Sequence, residues 1–190
     1  MESLLVSTGV VAISEIGDKT QLLALLLATR FRQPVPIIFG IFVATVLNHA
    51  VAALAGSWVA VAVDPDWLRW GVAILFLGMA GWALIPDKID EGEVRSFGAH
   101  SAFLATVIAF FLAEMGDKTQ IATAALAARF ETVVPVVIGT TAGMMIADVP
   151  AVLCGHAFAH KINPRWVRYA AAAIFALLGV TMVIGMEWSV

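Results

Sequence analysis

The sequence predicts an all-α integral membrane protein with six transmembrane helices, arranged as two inverted three-helix repeats. Three observations carry that prediction. Of 190 residues, 61% are hydrophobic and 13% charged, with a mean hydropathy of +0.94, whereas a soluble domain of this size presents a more polar surface. The apolar residues gather into runs close to the roughly 20 that a helix needs to cross hydrocarbon. The chain also repeats itself, because a shift of 99 residues lays Glu15 on Glu114 and Gly17–Gln21 on Gly116–Gln120.

Taken in order, the apolar runs place helices near 3–29, 35–62, 67–86, 100–128, 133–160 and 165–187. Interfacial turns could shorten the second and fifth. RFRQP (30–34), DPD (64–66), ETV (131–133) and KINPR (161–165) separate the runs, with the proline and charge of turns at a membrane surface. Trp67, Trp70, Trp166 and Trp188 fall near helix ends, as interfacial aromatic anchors do. The longest polar stretch is the acidic DKIDEGEVRSFGAH, 87–100. The chain therefore divides into a first repeat over 1–86, a linker over 87–99 and a second repeat over 100–190.

Composition also excludes several function classes. The net charge is −3 and no basic patch occurs, which leaves nucleic acid without a docking surface. Cys154 is the only cysteine, so no internal disulfide and no cysteine-based metal site can form. MESLLVSTGVVAISEIGDK lacks a basic n-region and carries Glu15 and Asp18 in its apolar stretch, so it does not read as a cleavable signal peptide.

The 99-residue shift runs on without a gap through Arg30 and Arg129, Pro36 and Pro135, Gly40 and Gly139, Gly56 and Gly155, Trp67 and Trp166, and Arg69 and Arg168. A unit of three helices is odd, so its second copy enters the membrane from the opposite side. Where the halves differ in charge, Arg32 stands for Glu131, Ala62 for Lys161 and Asp66 for Arg165. Each difference moves positive charge to one side. Arg30, Arg32, Lys88, Arg95, Lys161, Arg165 and Arg168 lie there, against Arg69 and Arg129 on the other. The positive-inside rule makes the central linker cytoplasmic and both termini external, in a cell inner (plasma) membrane.

The repeated motifs SEIGDKTQ (14–21) and AEMGDKTQ (113–120) put charges at the middle of the first and fourth spans. On continuous helices, Glu15 and Asp18 would lie about 60° apart on one face, with Lys19 bordering it. Ser14, Gln21 and Thr8 extend that polar arc, while Gly17 and Gly116 allow close helix approach or local unwinding. Ionised groups at this depth face a cavity or each other, so the expected site gathers Glu15, Asp18, Glu114 and Asp117 at the midplane. Four carboxylates and two lysines leave a net charge of −2, matched by one divalent cation or two protons. Carboxylates crowded in a low dielectric also hold protons more readily than in water. Such a site suits cation/proton antiport by alternating access, unless Lys19 and Lys118 pair locally or point away. Its oxygen ligands, with Thr20, Thr119, Gln21 and Gln120 nearby, favour hard cations such as Ca²⁺, Mn²⁺ and Mg²⁺ over copper or zinc.

With motifs EIGDKT and EMGDKT each set in a three-helix repeat, the whole chain resembles the E-x-G-D-K/R-T/S cation/proton exchanger family of the Golgi calcium/manganese transporter and bacterial MneA-type manganese exporters. The resemblance implies Mn²⁺ or Ca²⁺ transport against protons, with no resident cofactor. Glu15, Asp18, Glu114 and Asp117 become the cation ligands, and Lys19, Thr20, Gln21, Lys118, Thr119 and Gln120 the motif neighbours. The expected activity is export of Mn²⁺, with Ca²⁺/H⁺ exchange and little Mn²⁺ transport as the alternative.

Other readings compete. Glu15–Lys19 and Glu114–Lys118 could be buried i,i+4 ion pairs that only join helices. A six-helix organic solute exporter would want an aromatic or arginine-lined pocket. An intramembrane metallohydrolase would want H-E-x-x-H or a nucleophile pair, and a structural subunit would carry no flux. A secondary transporter, not an enzyme, fits best. Asn48, His49 and Asp148 are intramembrane polar residues of the second and fifth spans, suited to line a pathway or relay protons or to bond helices together. His156 and His160, spaced i,i+4, read as interfacial, and Met144 and Met145 as packing. The lipid bilayer and divalent cations are the partners, and the functional unit is a monomer or a homodimer.

Overall fold

A computed structural model describes residues 1–85, 101–154 and 164–184. The described residues form eight α-helices and no strand. They are α1 (Glu2–Glu15), α2 (Lys19–Phe31), α3 (Pro34–Ala62), α4 (Pro65–Ala83), α5 (Ala102–Glu114), α6 (Lys118–Phe130), α7 (Val134–Cys154) and α8 (Pro164–Val183). The 87–99 linker, His156, His160 and Trp188 lie outside the described residues.

The expected continuous first and fourth helices are corrected. Each is two helices broken in the motif, after Glu15 and again after Glu114. Gly17 and Gly116 both sit at φ +78, the left-handed region where any side chain is strained. The second expected helix is not shortened, since α3 runs for 29 residues. At 1.5 Å per residue it is about 44 Å long, more than the roughly 30 Å hydrocarbon layer requires upright. Pro34 and Pro65 start α3 and α4, where a missing N–H costs nothing. Among the described residues α3, Val134–Leu153 and Arg165–Val183 are long and apolar enough to cross a membrane unaided.

Packing between the halves is reciprocal. The α1 helix lies chiefly on α7 and α5 on α3, while α4 lies on α8. Small residues make these approaches close. A Cβ added to Gly40 would strike Phe103 and Thr106 of α5, and one on Gly139 would strike Leu4 and Ser7 of α1. Gly143 meets Thr8 and Ala12 in the same way, so a small-xxx-small stripe on α7 receives α1. The outside is apolar, with Phe39, Val51, Trp58, Ile74 and Leu177 exposed. Trp67, Trp70 and Trp166 are exposed near the starts of α4 and α8. The acidic residues of both motifs are buried between the helices, the reverse of a soluble protein.

Candidate metal centre

The two breaks together bring four helix ends to one place. Glu15 and Glu114 are the last residues of α1 and α5, and Asp18 and Asp117 are the N-cap residues of α2 and α6. An N-cap aspartate ordinarily accepts a hydrogen bond from its own helix, yet neither Asp18 nor Asp117 does. Gln21 and Gln120 reach back instead, their Oε1 atoms accepting from the Gly17 and Gly116 N–H groups at 3.0 and 2.7 Å. This resembles the reach-back half of a capping box. It satisfies one amide of each unwound turn and leaves the aspartates for other partners.

The break also overturns the expected helical face. Glu15 and Asp18 lie on different helices, so their three-residue spacing sets no common face. The local i,i+4 ion pairs are not the pairs formed. Lys19 Nζ lies 2.7 Å from Asp117 Oδ1, and Lys118 Nζ lies 2.8 Å from Asp18 Oδ1. Both lysines therefore point into the centre and cross to the opposite half.

The two glutamates are fully buried. Thr20 Oγ1 donates to Glu15 Oε2 at 2.5 Å, and Thr119 Oγ1 donates to Glu114 Oε2 at 2.8 Å. Each hydroxyl fixes one carboxylate oxygen. Glu15 Oε1, Glu114 Oε1 and Asp117 Oδ2 accept no hydrogen bond among the described residues. Glu15, Glu114 and Asp117 each offer one carboxylate oxygen, and these lie within 4.8 Å of one another. Buried acceptors left without donors are costly, and a hard cation satisfies several at once. Asp18 is buried beside this group but falls outside it, on Lys118.

The third helix of each half closes the centre unequally. Gln21 Nε2 donates to the Ala147 carbonyl at 3.0 Å. At the equivalent place Gln120 Nε2 donates to the Asn48 side chain at 3.2 Å, and Asn48 Nδ2 donates to the Phe111 carbonyl at 3.1 Å. The asparagine is an inserted link between α6, α3 and α5. Asp148 and His49, its repeat equivalent, are fully buried, and neither carboxylate oxygen nor ring nitrogen has a hydrogen-bond partner among the described residues. Asp148 is close enough to Glu15, Glu114 and Asp18 for their charges to act on one another. Met144 is buried in an apolar cluster with Val11 and Ile41.

One residue here reads from sequence only as a topology charge. Arg168 lines a cavity of about 40 Å³ together with Ser14, Gly17, Asp18 and Lys118, room enough for a water molecule. Its signal was the arginine at the equivalent Arg69. Thr45, a turn before His49 on α3, is a buried hydroxyl without a partner among the described residues, and nothing in the repeat pointed to it.

Comparison with known proteins bears on this centre. Residues 3–91 and 102–189 match the family described as Divalent cation/proton antiporter GDT1. The chain is 50% identical over 181 residues to a Vibrio cholerae serotype O1 protein named "Putative manganese exporter", covering 95% of this chain and 90% of that one. It is 27% identical over 201 residues to GDT1-like protein 3 of Oryza sativa subsp. indica, across 92% of this chain and 71% of that protein. It is 26% identical over 205 residues to GDT1-like protein 5 of Arabidopsis thaliana, across 88% and 89% of the two chains. No solved structure matches. A membrane-type helical bundle with paired acidic breaks thus coincides with a family match on both halves, and the chain belongs to the divalent cation/proton antiporter family GDT1.

Proposed function

We propose that this protein exports Mn²⁺ in exchange for protons, through a midplane site whose ligands are Glu15, Asp18, Glu114 and Asp117. The carrying observation is the convergence of Glu15, Glu114 and Asp117, one from each motif glutamate and one from an N-cap, within 4.8 Å. Carboxylate and hydroxyl oxygens suit Mn²⁺ and Ca²⁺ alike. Mn²⁺ is placed first because of the Vibrio cholerae relative's name.

In this reading the two halves are three-span units of opposite orientation, with α1–α2 and α5–α6 each crossing as one broken span. Broken spans in such repeats turn helix ends and unwound carbonyls toward the transported ion. The reciprocal placement of α1 on α7 and α5 on α3 supports the arrangement. The lysine and arginine distribution supports a cytoplasmic central segment, external termini and an inner-membrane location. Rocking of one half against the other exposes the site alternately. Metal binds deprotonated carboxylates on the cytoplasmic side, and external protons replace it after the switch. Asp148 and His49, buried and without hydrogen-bond partners among the described residues, are the proposed proton-carrying residues of the pathway, and Asn48 a fixed part of its wall.

The test is flux in proteoliposomes with an imposed pH gradient, following Mn²⁺ and Ca²⁺ beside a Glu15→Gln/Glu114→Gln variant. Gradient-driven Mn²⁺ movement that the double variant abolishes is expected. A wild-type protein that is correctly inserted yet moves neither ion would refute the proposal, and Ca²⁺ flux without Mn²⁺ would reassign the cargo.

A further inference from the structure

A transporter of cations that keeps two lysines in its binding centre poses a problem, since each ammonium repels the cargo. The crossed pairs resolve it. Asp117 belongs to the group of three that can reach a single ion, yet its Oδ1 holds the Lys19 ammonium at 2.7 Å. That ammonium also lies in the field of Glu114 and Asp18. A divalent ion held by Glu15, Glu114 and Asp117 would share the Asp117 carboxylate with a like charge. In a poorly screened interior that is strongly unfavourable.

Resting on the function proposed above, we infer that Lys19 and Lys118 are tethered counter-cations. Each ammonium holds an aspartate of the opposite half until the arriving metal ion displaces it, Lys19 first. Without cargo, several buried carboxylates would face one another uncompensated, and two ammonium groups reduce that repulsion. Displacement in this form is an exchange of one cation for another and needs no proton step. Neither aspartate is committed to its own helix, since neither makes a cap hydrogen bond.

The order follows from access. The Lys19 side chain is 23% exposed and that of Lys118 only 5%. Lys19 has a flexible four-carbon stem and a partly exposed side chain. Lys118 is enclosed on Asp18, beside Ser14 and Arg168. When the halves exchange roles in the opposite-facing state, Lys118 becomes the one that leaves.

The experiment is Mn²⁺ binding to the purified full chain in detergent at fixed pH, reading free Mn²⁺ by its electron paramagnetic resonance signal. Wild type, Lys19→Met, Lys19→Arg and Lys118→Met are compared after helicity and a monodisperse elution profile confirm folding. Removing the competing charge should tighten Mn²⁺ binding about tenfold or more in Lys19→Met, while Lys19→Arg, which keeps the charge, should bind no tighter than wild type. Equal or weaker affinity in a folded Lys19→Met overturns the inference, as does equal tightening in both Lys19 variants. If Lys19→Met does not fold, Lys118→Met carries the same expectation. Amine-reactive labelling of wild-type Lys19 serves independently of any variant. Saturating Mn²⁺ should accelerate it several-fold as the ammonium leaves Asp117, and unchanged or slower labelling overturns the displacement. A wild type that binds and transports neither Mn²⁺ nor Ca²⁺ refutes the proposed function itself, whereas a transporting wild type without these lysine effects refutes only the displacement.

Discussion

Phe76 and Phe175 occupy equivalent positions in the two halves, and their rings stack on one another with centroids 6.4 Å apart and planes 22° from parallel. A meeting of equivalent residues is what the two-fold relation proposed above would produce. Glu15 and Glu114, also equivalent, approach one another in the buried centre. The α4–α8 contact therefore joins equivalent positions of the two repeats, as the buried centre does with its carboxylates.

Phe76→Ala should destabilise the protein by roughly 2 kcal/mol. Phenylalanine truncation in a soluble core costs about 3–5 kcal/mol, but lipid is as apolar as the helix interface, so mainly the cavity and packing part survives. Reversible unfolding by SDS in mixed micelles measures it. A change under about 0.5 kcal/mol would show that the stack aligns nothing.

Gly116→Ala should cost about 1–2 kcal/mol through backbone strain alone, because a Cβ there meets no atom within 4 Å while φ is +78. Gly56→Ala should cost more, since a Cβ would collide with the backbone carbonyl of Ala124. One variant tests the break and the other the α3–α6 contact. Thermal denaturation in detergent should rank them in that order, and the reverse order would contradict the geometry.

Thr119→Val keeps the volume of the side chain but removes the hydroxyl that fixes Glu114 Oε2. A hydrogen bond to a charged group contributes about 1.5–3 kcal/mol, so the half-saturating Mn²⁺ concentration for flux should rise by roughly tenfold or more. Thr20→Val should act the same way on Glu15. An unchanged half-saturation with slower flux would point to a role in the conformational switch.

Asn48→Ala should be nearly silent in stability, within about 1 kcal/mol. The first half already shows the solution, because Gln21 reaches the Ala147 carbonyl directly, and Gln120 can do likewise at residue 48. Gln120→Leu removes the link to Gly116 N–H as well and should cost more. Comparing the melting temperatures of the two variants separates the wall residue from the cap.

The repeat, the apolar spans and the two acidic motifs were legible in sequence because each is a pattern of residue types. The break was not. A single glycine inside an apolar run barely changes its hydropathy, so 3–29 and 100–128 read as continuous spans. A local signal was nevertheless present: Asp18 with Gln21 and Asp117 with Gln120 have the spacing of a helix start, and both pairs lie where α2 and α6 begin. The lysine partners could not be read at all. Spacing ties Lys19 to Glu15 at i,i+4, and only the crossing of the two halves brings it to Asp117.

Because α1 lies chiefly on α7 and α5 on α3, each half completes its partner's interior, like two hands with fingers interlaced. A chain cut between residues 86 and 100 would lose a covalent tie but none of the buried helix contacts described here. The two fragments, made separately in one membrane, should find each other and restore flux, whereas either alone would leave its motif charges without their partners in the other half.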